Sequence, residues 1–262
     1  MKYPSFKRPL LRAVSLGVCL IAWHLLSTLH IDLGVVTFQN VPTPTEVLAE
    51  GWHLLQSKKT LAHLTASLSR VFGGFVLAGI VGIALGLCVG SYHLAADLLL
   101  PPLEILRPIP AVAWIPLAIL MFPSTELSMA YITFTGALFP ILLNTIHGVA
   151  GVDARLLASA RSLGAKQPAI FYEVILPGAA PNIFTGLSIG MGTAWFCLVT
   201  AEMIAGQFGI GYYTWSAYTI QNYAGIVVGM LLIGGLGLLS SQLVKRLGQA
   251  LTPWHRPQAK PL

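Results

Sequence analysis

Residues 71–89 read VFGGFVLAGIVGIALGLCV, from Val71 to Val89, and contain no charged side chain. A run of this length covers the roughly 20 apolar residues that a helix needs to cross about 30 Å of hydrocarbon, so it reads as a membrane span. The rest of the chain agrees. Of the 262 residues, 55% are hydrophobic and 9% charged, against about a quarter charged in an ordinary soluble domain. At a mean hydropathy of +0.76, so much apolar surface does not fit inside one water-soluble core. Glycine and proline are spread without period and charge is scarce, which excludes a disordered chain and a collagen-like repeat.

Five further spans surround this one: Ala13 to Leu29, Leu103 to Phe122, Leu127 to Ile146, Ile183 to Ile204 and Ala224 to Leu243. The expected fold is therefore an all-α integral membrane protein with six transmembrane helices. It divides into a basic N-terminal segment (1–12), a single transmembrane domain (13–243) and a C-terminal tail (244–262). The first span follows Lys2, Lys7, Arg8 and Arg12 as a secretory signal would, but no small-residue cleavage site follows near Ser27. The third is interrupted by Pro108, Pro110 and Pro116, so it is expected to be kinked or partly unwound. Gly82, Gly86 and Gly90, and likewise Gly186, Gly190 and Ala194, recur every four residues, which lets helix backbones approach closely.

Basic residues set the orientation. With the N-terminus inside, Lys2, Lys7, Arg8, Arg12, Arg107, Arg155, Arg161, Lys166, Lys245, Arg246, Arg256 and Lys260 flank the cytoplasmic ends. Only Lys58, Lys59 and Arg70 flank the outer ones. Both termini are expected in the cytoplasm. The +6 balance is thus topology signal and does not call for a nucleic-acid partner.

Two connections exceed what joining spans requires. In the outer one, His30 to Leu64, Thr43, Pro44 and Glu46 form a capping-box start for a helix from Pro44 to about Ser57, with Val47, Leu48, Trp52 and Leu55 near one face. That face suits the membrane surface or a partner. In the inner one, 148–180, Asp153 caps a helix running to Leu163, and Gly164 takes the left-handed position after it. Pro168 then starts a second helix that Pro177 ends. A helix, a glycine turn and a helix exposed between two spans read as a docking element. As a DNA-reading helix-turn-helix it would be trapped at the membrane face, unable to enter a groove.

The inner connection carries a resemblance. Ala158-Ser159-Ala160, Gly164-Ala165 and Val174-Ile175-Leu176-Pro177 are spaced as in the E-A-A, three residues, G, nine residues, I-x-L-P signature of binding-protein-dependent ABC importer permeases. Ala158 replaces the signature Glu, Ser159 the first Ala and Val174 the Ile, so an ionic contact through that Glu is missing here. Arg107-Pro108-Ile109-Pro110, Ala113 to Leu117, Ala201 to Ile204 and Thr43-Pro44 resemble the taurine, alkanesulfonate, nitrate and bicarbonate subgroup, as does Leu251-Thr252-Pro253-Trp254-His255. The resemblance implies a type I ABC importer permease in the cell inner membrane, working as a homodimer that imports a small, anionic solute. It implies a coupling loop of Ala158, Ser159, Ala160, Gly164, Ala165, Val174, Leu176 and Pro177 seated on a separate ATP-binding subunit, which would hold the ATP and Mg. It also implies a solute-binding protein on the outer face, at the Pro44 helix and the segment from Gln207 to Asn222.

The residues themselves supply no competing chemistry. No GxxxxGK[ST] motif and no Gly-Lys pair is present, so this chain has no ATP-binding loop of its own. His24, His30, His53, His63, His93, His147 and His255 are scattered without HExxH, and no GxSxG occurs. Cys19, Cys88 and Cys197 stand alone in apolar surroundings and read as small hydrophobes. No catalytic or metal site is expected. An ionisable group within a span costs about 2.5 to 3.5 kcal/mol and needs a reason. Arg107 and Glu202 are accordingly the main candidates to line a translocation path, followed by Trp114, Asn144 and Trp195. An ion-coupled secondary transporter using Glu202 is the alternative reading.

Overall fold

The computed structural model describes residues 7–32 and 34–254; Lys2, His255, Arg256 and Lys260 lie outside the described residues. The elements run α1 (Lys7–Thr28), α2 (Pro44–Gln56), α3 (Lys58–Ser91), α4 (His93–Leu106), a 3₁₀ turn (Ala111–Trp114) and α5 (Ile115–Met121). Then follow α6 (Thr125–Ala150), α7 (Ala154–Ser162), α8 (Gln167–Ile170), a π turn (Phe171–Ile175), α9 (Leu176–Ala205), α10 (Ile210–Thr219) and α11 (Tyr223–Leu251). Five helical stretches are long and apolar enough to cross a membrane. The pair His93–Leu106 and Ala111–Met121, bent by 81°, makes a sixth candidate.

Local signals govern the helix ends. Thr43 caps α2 through the reciprocal box: the Thr43 N–H donates to Glu46 Oε2 at 2.8 Å and the Glu46 N–H donates to Thr43 Oγ1 at 3.4 Å. In the third span the prolines act by position. Pro116 sits at the start of α5, where its missing N–H costs nothing. Pro108 and Pro110 fall in the break and deprive it of donors, so the chain bends there.

Several boundaries differ from expectation: α1 already starts at Lys7, and α11 runs past Leu243 to Leu251. The second span extends back to Lys58, because Ser57 caps a helix that continues without interruption into Val71. The third starts at His93, with Pro101 and Pro102 accommodated inside α4. The helix begun near Pro168 does not end at Pro177. It widens into the π turn, in which the Leu176 N–H reaches the Phe171 carbonyl, and continues as α9 with Pro177 in its first turn. A proline clashes with the carbonyl four residues back, and one wide turn moves that carbonyl out of register.

α6 is the centre of the bundle, packed between α3 and α9. Both small-residue stripes pack against it, Gly82 and Gly190 meeting the same Ile141. A Cβ on Gly86 would lie 2.7 Å from Thr145 Cγ2 and 2.9 Å from the Leu142 carbonyl oxygen. One on Gly186 would lie 2.7 Å from Asn144 Cβ and 3.0 Å from the Pro140 oxygen. Val71 and Ala78 of α3, Ile132 and Ile141 of α6, and Met191 and Leu198 of α9 fill the shared core. By contrast α1 stands apart, with most of its apolar side chains exposed.

Candidate functional site

Among the described residues, three places hold the charged clusters and candidate residues read from the sequence. The first lies at the end of the bundle that bears α2 and α10. Arg70, 6% exposed, extends from α3 between α6 and α9. Its Nε donates to Glu126 Oε2 at 2.7 Å, Nη2 to Glu126 Oε1, and Nη1 to Glu202 Oε1 at 2.9 Å and to the Phe208 carbonyl at 2.6 Å. Glu202 is fully buried. It also accepts from Ser67 Oγ at 2.8 Å and from the Gly211 N–H at 2.9 Å, while Ser67 Oγ accepts the Ile210 N–H at 2.8 Å. The carboxylate therefore caps the first turn of α10 from a neighbouring helix, and one guanidinium joins α3, α6, α9 and the loop before α10. Nearby in α10, burial and the Glu50 carboxylate push the Tyr213 phenol up to about 12.

This cluster corrects the placement of Arg70, taken from sequence as an outer flanking charge: it is an interior residue. The reason is the continuous α3, which carries position 70 below the helix start into the packed region. It also leaves nothing to support Glu202 as a proton carrier, since Arg70, Ser67 and Gly211 already occupy both its oxygens. A signal for Arg70 existed: an arginine bordering the most apolar run of the chain needs a partner. Its partners Glu126 and Glu202 lie 56 and 132 positions away.

The second place is the break between α4 and the 3₁₀ turn. Arg107 borders a cavity of about 270 Å³ lined also by Thr135, Gly136, Thr193 and Phe196. Thr135 lies near the middle of α6, so this cavity is level with mid-helix, and Arg107 borders it as an exposed side chain from the break in the third span. The 81° bend of the broken span brings it there. Among the described residues no carboxylate lies within salt-bridge distance of Arg107, Glu104 included.

The other path candidates are dispersed. Trp195 is buried against α11 and donates from Nε1 to Ser240 Oγ at 2.9 Å. Asn144 donates to the Pro140 carbonyl at 2.8 Å. Trp114 is half-buried in the 3₁₀ turn, against the main core. The three do not border the Arg107 cavity.

The third place is at the opposite end of the bundle. Asp153 caps α7, accepting the Arg155 N–H at 2.9 Å, and is paired with the Arg155 guanidinium. Hydrogen bonds from that side chain, then from the backbone N–H, hold the Asp153 carboxyl below its ordinary range. After α7 the Gly164 N–H reaches the Arg161 carbonyl and the Ala165 N–H the Ala160 carbonyl, with Gly164 at φ +78°. This pairing is a Schellman turn. Ala158, Ser159 and Gly164 are exposed; Ala160, Ala165, Val174, Leu176 and Pro177 are half-buried. Leu163, 88% exposed, and Tyr172, 67% exposed, present apolar surface beside them. Among the described residues no cluster of metal-ligating side chains occurs.

The comparisons match this architecture. The family described as binding-protein-dependent transport system inner membrane component covers residues 78–256. The chain is 33% identical to the nitrate import permease protein NrtB of Synechocystis sp., over 95% of this chain and 90% of that protein. It is 30% identical to the taurine transport system permease protein TauC of Escherichia coli, over 97% and 93%. The fold resembles that in a crystal structure of an amino acid ABC transporter with histidines, with TM-score 0.57 and 14% identity over 79% of this chain and 97% of that one. Spans and bend thus have one explanation: this chain belongs to the binding-protein-dependent ABC transporter permeases of the inner membrane.

Proposed function

We propose that this permease subunit of an ATP-driven importer passes a small solute bearing an anionic group, of the nitrate, bicarbonate, taurine or alkanesulfonate type, and that Arg107 meets that group on the way. The observation that carries this reading is an exposed arginine with no carboxylate partner among the described residues, bordering a cavity level with the middle of α6. An intramembrane cation is costly unless it serves a pathway, and a guanidinium offers a planar anion paired, directional donors. The names of NrtB and TauC point to the same class of solute.

In this reading both termini are cytoplasmic, with segments 1–12 and 244–262 flanking one transmembrane domain. Setting aside Arg70 and Arg107 leaves the basic bias toward that side intact. Two copies pair around the path. The α7 turn and the following segment to Pro177 dock on an ATP-binding subunit, which binds the ATP and Mg. A solute-binding protein docks at the opposite end, on α2 and residues 207–222.

Two measurements test this. The solute is identified by which of taurine, ethanesulfonate, nitrate and bicarbonate raises the melting temperature of the binding protein. In proteoliposomes holding the assembled importer, Arg107→Gln is then expected to lower uptake of that solute about tenfold or more, the worth of a charge-assisted hydrogen bond. Uptake equal to wild type would remove Arg107 from the path. The coupling role has its own test. A Cβ at Gly164 meets no atom within 4 Å, so Gly164→Val strains only the backbone, by roughly 1–2 kcal/mol. Solute-stimulated ATP hydrolysis should fall while membrane insertion persists; full coupling would sink the assignment.

A further inference from the structure

At the end of the bundle opposite α7, the last turn of α1, the loop before α2, the first turn of α2 and the turn between α10 and α11 line an open cleft of about 580 Å³ with mixed polar and apolar walls. It is a built junction: Trp23 Nε1 donates to the Pro42 carbonyl at 3.0 Å, which ties α1 to the loop, and Asn222 Nδ2 donates to Glu50 Oε1 at 2.8 Å, which ties the α10–α11 turn to α2. Ser27, 1% exposed, lines it with its hydroxyl buried and unpartnered. His30 and Gln221, the two described non-glycine residues at positive φ (47° and 59°), line it as well. Such conformations persist only where the surroundings enforce them.

The chemistry of the lining selects a ligand. Glu46 supplies a carboxylate of which Oε2 takes the Thr43 N–H, while Oε1 accepts no hydrogen bond among the described residues. Asn40 and Gln221 also line the cleft, with amides that offer an acceptor oxygen as well as NH2 donors. The lining holds the Glu46 carboxylate, the His30 ring and no lysine or arginine, so a donor-rich cation is better matched there than an anion. From this geometry we infer that the cavity receives an arginine or lysine side chain of the solute-binding protein. The inference rests on the docking of that protein at this end of the bundle. A guanidinium would satisfy Glu46 Oε1 and the amide oxygens together, and the charge would make docking sensitive to salt.

The test uses the assembled transporter in lipid nanodiscs, titrated with the binding protein in a mixture of taurine, ethanesulfonate, nitrate and bicarbonate, with ATP hydrolysis as the readout. Gln replaces Glu in capping boxes, so Glu46→Gln removes the charge while keeping α2 capped. The half-saturating concentration of binding protein should rise about three- to tenfold, and its dependence on NaCl should flatten relative to wild type. Asn40→Lys, on an exposed loop position, places a competing cation in the cavity and should weaken docking at least as much. An unchanged half-saturating concentration and an unchanged salt slope in both variants would overturn the inference. Absence of any stimulation by the binding protein in wild type would instead overturn the docking reading beneath it.

Discussion

Arg70→Met is expected to cost the folded permease about 3–5 kcal/mol, the penalty for leaving a buried partner charge unpaired. The stranded group is Glu202, which is fully buried and loses a donor at 2.9 Å. Ser67 and Gly211 still donate to it, but neither carries charge. The loss extends further, because the Phe208 carbonyl and Glu126 give up their donors in the same step. The variant should show a lower melting temperature in detergent and reduced recovery of monodisperse protein. Arg70→Met with Glu202→Gln removes both buried charges, and the double variant should be more stable than Arg70→Met alone. If the single variant melts with wild type, the triad contributes little and α10 is held by apolar packing.

Gly186→Leu should be comparably damaging by a different route. Its Cβ would stand 2.7 Å from Asn144 Cβ, 3.0 Å from the Pro140 oxygen and 3.2 Å from Ile141 Cα. Two of these atoms are backbone of α6 and cannot rotate away, so the helices must separate. Overpacking of this kind costs typically 1–3 kcal/mol and here about 3 or more, since the rest of the leucine side chain must also be housed. Gly234→Ala is the matched control: a Cβ there meets nothing within 4 Å, and replacing a helix-interior glycine should be neutral or gain up to about 1 kcal/mol. Thermal unfolding of the three proteins side by side decides the matter, and equal stability of Gly186→Leu and wild type would show that α9 does not sit on α6 as closely as described.

What was legible in advance is local. The capping box at Thr43, the Asp153 cap and the left-handed Gly164 each involve residues within about one helical turn of each other, so their spacing encodes their geometry. Small-residue stripes were legible as close-approach surfaces, though not their partner. Pro177 misled because proline usually stops a helix, and the preceding π turn that admits it has no simple sequence mark. Trp195 was legible as an aromatic in a span but not as a buried donor to Ser240, 45 positions away.

The sequence alone determined that the chain is a membrane-spanning helical bundle and where its loop helices start and turn. Both follow from apolar length and from capping within short windows. Tertiary structure alone decided that α6 is central, that Arg70 is shared between Glu126 and Glu202, and that Arg107 borders a cavity level with the middle of α6. The physical reason is the solvent. In a bilayer the lipid-facing and protein-facing sides of a helix are both apolar, so its hydrophobic pattern does not reveal how it is rotated or which helix it meets. Only close packing and the pairing of the few buried charges select among those arrangements.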